Sequence, residues 1–98
     1  MSIVIVGGNE CMAGQYESIC KSYGCKAKVF TKESGALKKK IGSPDLLVLF
    51  TNTVSHKMVI SASQKAKRSK LKVERVRSSS AAALHSVLSK HCGCPANG

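Results

Sequence analysis

The chain has 98 residues, 43% of them hydrophobic, and its 16 Lys and Arg residues against 5 Asp and Glu residues give a formal net charge of +11. This length supports one domain, spanning residues 1–98, with one modest hydrophobic core. No apolar run approaches the roughly 20 residues that span a bilayer, and the N-terminus lacks the layout of a secretion signal, so we predict a cytosolic protein without a membrane span.

The excess of positive charge limits the classes of partner. A strongly basic surface raises the encounter rate with phosphates, nucleic acid or acidic membranes. The alternative interpretation is a basic surface that serves only solubility.

The five cysteines are odd in number and scattered along the chain, so we interpret them as mostly reduced thiols and not as a disulfide framework. They are Cys11, Cys20, Cys25, Cys92 and Cys94.

The first predicted element is a strand buried on both faces. Residues 3–6 are all β-branched, and the pair Gly7-Gly8 follows directly. Such a run is typical of a central strand in a parallel sheet, and two glycines indicate a loop where the backbone comes close to another group. We therefore expect the carboxyl end of this strand to be a place of close approach.

Two helices and a second strand are predicted next. Apolar positions recur at helical spacing through residues 12–23, and Gly24 is typical of a helix end. Lys26–Phe30 alternates charged and apolar residues, as a half-exposed strand does. Ser34 can cap a short helix that contains Leu37 and Ile41.

The second half of the chain repeats this alternation. Leu46–Phe50 is apolar at every position and so predicts a second fully buried strand. Ser55 can cap a third helix, residues 71–77 form a mixed strand, and residues 84–91 have the spacing of a last helix. Residues 93–98 are predicted to be a flexible tail.

Strand polarity predicts the arrangement of these elements. The first and third strands are wholly apolar and belong in the centre, whereas the second and fourth carry charges and belong at the edges. We therefore predict a three-layer, Rossmann-like α/β fold with a four-stranded parallel sheet in the order 2-1-3-4. Right-handed crossovers place the first and last helices on one face and the two middle helices on the other.

This strand order predicts a ligand site. The connections leaving strands one and three run in opposite directions, which opens a crevice at their carboxyl ends, where open α/β sheets bind ligands. Glycine backbone, helix N-termini and hydroxyl groups suit phosphate or carboxylate oxygens. The candidate ligand-binding residues are Gly7, Gly8, Asn9, Thr51, Asn52, Thr53, Ser55, His56, Ser78, Ser79 and Ser80.

A simpler interpretation stays open for each of these residues. Gly7 and Gly8 are adjacent and do not form the G-x-G-x-x-G dinucleotide pattern, so they can be only a tight turn. Asn52, Ser55 and Ser78 can be only caps and turn formers. Their predicted convergence on one edge of the sheet favours the functional interpretation.

Two alternative chemistries remain. Cys11 follows the glycine loop near the start of a helix, where a thiolate is stabilised. A small parallel sheet with such a cysteine resembles the B subunits of sugar-transport phosphotransferases. That resemblance implies a phosphoryl or thiol carrier. His56 or the Cys92/Cys94 tail could instead hold haem or a metal, although Cys-x-Cys with one histidine lacks the usual zinc spacing. His85 and His91 are interpreted as surface and core-edge residues.

The opening Ile3-Val4-Ile5-Val6-Gly7-Gly8, the segment Thr53-Val54-Ser55-His56-Lys57 and the element Ser78-Ser79-Ser80 together resemble a bacterial domain family catalogued only as of unknown function. The resemblance implies a Rossmann-like fold in a cytosolic protein with no assigned reaction. Longer members of that family carry a histidine after the second strand, where this chain has Thr31.

The sequence favours a binding or regulatory module over an enzyme. Glu10 is the one carboxylate expected to reach the crevice, and Asp45 begins its strand at the opposite end of the sheet, so His56 lacks an acidic partner. We predict that the chain binds a phosphate-bearing ligand, a nucleotide or a nucleic-acid backbone, and that it forms a homodimer because a small sheet leaves apolar surface at its edges. No cofactor can be named.

Overall fold

Strands and helices alternate through the part of the chain that the computed structural model describes, which is residues 2–8, 10–32, 37–52, 54, 56–78 and 80–92. The strands are β1 (Ser2–Val6), β2 (Lys26–Phe30), β3 (Leu46–Phe50) and β4 (Val73–Val76). The helices are α1 (Ala13–Ser22), α2 (Leu37–Ile41), α3 (His56–Ser69) and α4 (Ala81–Cys92), and a 3-10 turn, Glu10–Met12, precedes α1.

The four strands form one parallel sheet in the order β2-β1-β3-β4, which confirms the predicted topology. In its register Ile5 lies between Val29 and Val48, and Phe50 lies beside Val76. Every residue of β3 is buried, whereas β2 and β4 keep exposed or half-buried positions. The order follows from this difference, because charged side chains reach water only from the edge strands.

Helices cover both faces of the sheet, as predicted. On one face α1 contacts α4, and the core there includes Tyr16, Phe50 and Leu88. On the other face α2 contacts α3, and the core there includes Leu49, Met58 and Ala62. The central strands supply alternate residues to the two cores because successive side chains of a strand point to opposite faces.

The ends of the helices use left-handed backbone. Gly24 after α1 has φ 74° and Gly42 after α2 has φ 63°, as glycine at this position commonly does. Lys70 after α3 has φ 52°, and the Leu71 amide donates to the Ala66 carbonyl over 2.9 Å. Leu71 thus completes the end of α3, and β4 is shorter than the predicted strand over residues 71–77.

Some predicted features lie outside the described residues. These are the Ser34 and Ser55 caps and the tail at residues 93–98. In the part of the chain that is described, no helix is both long and apolar enough to span a membrane.

Candidate functional site

The carboxyl ends of β1, β3 and β4 lie side by side. A Cβ placed on Gly7 would be 3.0 Å from the Phe50 carbonyl oxygen and 3.0 Å from Val54 Cβ. The Thr51 amide donates to the Val76 carbonyl oxygen over 2.8 Å. We call this edge the rim; its described candidate residues are Gly7, Gly8, Thr51, Asn52, His56, Ser78 and Ser80. The predicted candidates Asn9, Thr53, Ser55 and Ser79 lie outside the described residues.

The two glycines are buried against the protein's own core. Gly7 and Gly8 have φ 95° and 89°, and a Cβ on Gly8 would be 2.8 Å from Tyr16 Cε2 and 3.1 Å from Phe50 Cδ2. The Gly7 amide donates to the Phe30 carbonyl oxygen over 2.8 Å. The close approach that these glycines permit is therefore made to aromatic rings, and the Gly7 N–H is engaged within the fold.

The serines after β4 have local structural roles. Ser80 precedes α4, and its Oγ accepts from the Ala83 amide over 3.2 Å, which is the geometry of an N-cap. Ser78 Oγ accepts from the Ser80 amide over 3.3 Å, as in a serine turn. Both side chains are exposed, so each hydroxyl hydrogen still faces solvent.

The segment after β3 presents exposed polar groups. Thr51 Oγ1 donates to the Val76 carbonyl oxygen over a long 3.4 Å, and both Thr51 and Asn52 are exposed. His56, the first residue of α3, is exposed, and Lys57 beside it is exposed too. Within the described residues, His56 has neither a hydrogen bond nor an ion pair with a carboxylate.

The electrostatics of the rim are set by the starts of three helices. α1, α3 and α4 each begin after a strand at this edge, and none has an acidic residue in its first turn. Each helix N-terminus carries about half a positive charge, which an acidic side chain would normally offset. Glu10, just before α1, pairs with Lys32 at 3.2 Å, and both side chains are largely exposed.

The other carboxylates with recorded contacts are held away from the rim. Asp45 Oδ2 accepts from the Ser2 amide over 2.7 Å at the amino end of the sheet. Glu74 Oε2 lies 2.9 Å from His91 Nε2, and Glu74 Oε1 lies 3.7 Å from Lys90 Nζ. The hydrogen bond with His91 lowers the pKa of Glu74 below 4.5, helped by the charge of Lys90 and opposed by partial burial.

The predicted surface position of His85 and core-edge position of His91 are confirmed, and the described cysteines are dispersed. Cys20 and Cys25 are buried in the core on the α1 face, and Cys11 is exposed in the 3-10 turn. His85 Nδ1 lies 3.1 Å from the Tyr23 hydroxyl at the surface, and His91 lies at the edge of the core. No group of three His, Cys, Asp or Glu residues that could hold a metal occurs among the described residues. Cys94 and the side chain of Cys92 lie outside them.

Two grooves lie away from the rim, and sequence reasoning did not identify either as a site. An open groove of about 730 Å³ separates α3 from β4 at the edge of the sheet. A smaller one of about 200 Å³ lies at the amino ends of β1 and β2, beside α2. The sequence signal for the larger groove is the concentration of lysines and arginines from residue 65 onward. Apolar side chains and charged side chains both line the larger groove, among them Ala66, Leu71, Val73, Lys67, Lys70, Glu74 and Arg75.

The chain matches a known family over most of its length. The family model described as "Uncharacterized protein conserved in bacteria (DUF2325)" matches residues 2–91. No curated protein and no solved structure matches the chain.

Proposed function

Since the chain belongs to the DUF2325 family of uncharacterized bacterial proteins, we propose a function from its own structure. It is a non-catalytic, cytosolic module that binds a phosphate-bearing small molecule, such as a nucleotide, at the rim. The family description names no reaction or ligand, so the proposal depends on the chemistry of the rim itself. Three parts of that chemistry support it, namely the local field, the available donors and the placement of the carboxylates.

The single observation that carries the proposal is the local field. α1, α3 and α4 are 10, 14 and 12 residues long; α3 and α4 begin at the rim without an acid in the first turn, whereas Glu10 stands in the 3-10 turn that leads into α1. Aligned peptide dipoles stabilise a nearby anion by about 0.3–1 kcal/mol for each helix. The formal net charge of +11 adds a long-range attraction of the same sign.

Side chains supply the donors for this anion. The amides of Gly7 and Thr51 already donate to carbonyl oxygens, so they serve the fold. Asn52, His56 and Lys57 are exposed at the start of α3 and can donate to phosphate oxygens. The ligand is thus expected on the solvent side of the rim, above the buried glycines.

The placement of the carboxylates favours binding over catalysis. A histidine that activates a nucleophile is usually oriented by a further group such as a carboxylate, and no carboxylate bonds His56 among the described residues. Glu10, Asp45 and Glu74 are each engaged elsewhere, with Lys32, Ser2 and His91 respectively. A group without such a partner can still hydrogen-bond a phosphate, which is the role we assign to His56.

Calorimetric titration with inorganic phosphate and with AMP tests the proposal. Replacing the two donors in Asn52→Ala/Lys57→Ala should weaken binding by about two orders of magnitude, because each hydrogen bond to a charged group contributes about 1.5 kcal/mol. Ser43→Ala/Lys28→Ala likewise removes one uncharged polar side chain and one lysine, from exposed positions away from the rim, and should leave the affinity unchanged. Equal affinities for the two double variants would contradict a site at the rim.

The carrier alternative depends on the exposed Cys11 in the turn before α1. If the rim only binds its ligand, Cys11→Ser should have the same affinity for phosphate as the wild type. In both proteins added salt should weaken that affinity. A phosphoryl or thiol carrier would lose its function on that substitution. An absorbance scan of the purified protein tests the haem or metal alternative through His56 or the Cys92/Cys94 tail.

We also propose that the module acts as a homodimer. Ile60 on α3 is 42% exposed and is the one large hydrophobic side chain exposed among the described residues, so it is the best candidate contact. Sedimentation equilibrium should give twice the chain mass of 10.4 kDa for the wild type. Ile60→Lys should give the single mass, and a wild-type monomer would contradict this part of the proposal.

A further inference from the structure

We propose that the open groove between α3 and β4 binds the phosphate backbone of a nucleic-acid duplex. This groove lies at the β4 edge of the sheet, and its lining differs from that of the rim. The inference does not depend on a ligand at the rim. It follows from the charge of the groove, from the backbone of one lysine and from the absence of aromatic side chains in the lining.

Positive charge is concentrated around this groove. Seven of the 16 basic residues fall within residues 65–77, and Lys67, Lys70 and Arg75 line the groove itself. One acid, Glu74, also lines the groove, but its carboxylate is paired with Lys90 and His91 of α4. The seven basic residues are Lys65, Lys67, Arg68, Lys70, Lys72, Arg75 and Arg77.

Lys70 occupies a backbone conformation that glycine usually takes. The ends of α1 and α2 use Gly24 and Gly42 for their left-handed residue, whereas α3 uses Lys70 at φ 52°. A side chain in this region is strained, and such strain is often retained where the side chain has a function. The left-handed backbone strain therefore occurs at the helix end whose side chain lines the groove with an ammonium group.

The lining of the groove specifies the kind of partner. Its lining includes the apolar residues Ala66, Leu71 and Val73, and no aromatic residue among those described lines it. Single-stranded nucleic acid is normally held by stacking its bases on aromatic side chains, whereas phosphate contacts alone suffice for a duplex. Addition of a peptide strand to β4 is disfavoured because basic side chains along an edge strand oppose pairing. A duplex backbone is thus the partner that this surface fits.

Fluorescence anisotropy with a labelled DNA duplex of about 20 base pairs tests the proposal on the full chain. Three phosphate contacts predict a slope of log affinity against log salt of about −2.7, which is a loss of about 40-fold between 50 and 200 mM salt. In the groove variant Lys67→Gln/Lys70→Gln/Arg75→Gln, the slope of log affinity against log salt should be shallower by about 2.7, the share of the three lost phosphate contacts. An absence of wild-type binding at about 50 mM salt would overturn the proposal.

A matched variant separates the groove from general charge. Lys26→Gln/Lys28→Gln/Lys39→Gln removes three exposed lysines on the far side, so both triple variants go from +11 to +8. The far variant should keep the wild-type slope. Equal losses in the two variants would overturn a site in the groove, and tighter binding of a single strand than of the duplex would overturn the choice of partner.

Lys70→Gly separates binding from folding. Glycine relieves the left-handed strain, so the melting temperature should rise while the salt slope falls by about 0.9, the share of one phosphate contact. A raised melting temperature with an unchanged slope would overturn the role of Lys70. Binding of inorganic phosphate should be unaffected by the groove variants, so failure at the rim and failure in the groove can be told apart.

Discussion

Gly8 lies against two aromatic rings, where a larger residue does not fit. A Cβ there would be 2.8 Å from the Tyr16 ring, and the φ of 89° is itself unfavourable for other residues. Gly8→Ala should therefore lower the free energy of unfolding by about 2–4 kcal/mol, the sum of backbone strain and overpacking. Urea denaturation followed by circular dichroism measures this change.

Gly14 is the matched control for Gly8. It is exposed in α1, and a Cβ there would have no atom within 4 Å. Gly14→Ala should stabilise the protein by about 0.5 kcal/mol, because alanine loses less backbone entropy in a helix. If both substitutions had the same sign, the tight packing around Gly8 would be contradicted.

Glu74 makes a pH-dependent contribution to stability. Its pKa in the folded protein lies below 4.5, so its ionised form adds stability above that pH, and the contribution is lost as the pH falls through the lowered value. Glu74→Gln should cost about 1 kcal/mol at neutral pH, a reduced value because 25% of the side chain is exposed. The difference from wild type should shrink as the pH falls through the lowered pKa of Glu74.

Urea midpoints at neutral pH and near pH 3.5 measure this difference. Repeating the substitution in a His91→Gln background is the control, because the hydrogen bond with His91 is the main cause of the lowered pKa. In that background Glu74→Gln should cost much less at neutral pH. An equal cost at both pH values would show that Glu74 acts through packing and not through its charge.

At the scale of an element, α4 depends on its N-cap. Ser80 Oγ accepts from the Ala83 amide, and loss of such a cap costs about 1 kcal/mol. Ser80→Ala should lower the free energy of unfolding by that amount. Ser86→Ala, at an exposed interior position of the same helix, should be neutral or slightly stabilising because alanine favours helix. A similar loss for both would contradict the cap.

The apolar pattern of the sequence predicts the order of the elements better than their ends. The polarity of β2 and β4 against the apolar β1 and β3 was enough to predict the order of the strands, which the sheet confirms. The predicted ends of the elements were less accurate. The Leu71 amide donates to the Ala66 carbonyl at the end of α3, so Leu71 does not start β4 as predicted. Apolar periodicity reports burial, and it contains no information on such local hydrogen bonds.

At the scale of the whole molecule, the charge is not balanced. Sixteen basic residues face five acidic ones, and the Glu10–Lys32 ion pair is largely exposed, so repulsion outweighs attraction. The urea midpoint should rise as NaCl goes from about 10 to 150 mM, because the screening length falls from about 30 to 8 Å. Lys39→Gln/Lys40→Gln should flatten this rise, and a midpoint that falls with salt would contradict net repulsion.

The candidate site was predictable only in part. Its place at the carboxyl ends of β1 and β3 was expected from the strand order, and Gly7 does lie beside Phe50 and Val54. That Gly8 packs on Tyr16 and that Ser80 caps α4 required coordinates, because both depend on which groups are neighbours in space. Binding at the rim stays a prediction that phosphate titration will test.

The sequence by itself determined the layers of this protein, because burial on one or both faces is encoded in the period of apolar residues. It determined the excess of positive charge as well. The sequence also shows that seven of the 16 basic residues fall within residues 65–77, and only the tertiary structure decided which of them line one groove. The basic groove joins the end of α3 to the edge strand β4, and the left-handed Lys70 lies in its lining. Surface side chains are weakly constrained by folding, so their arrangement follows from the path of the backbone and not from local pattern.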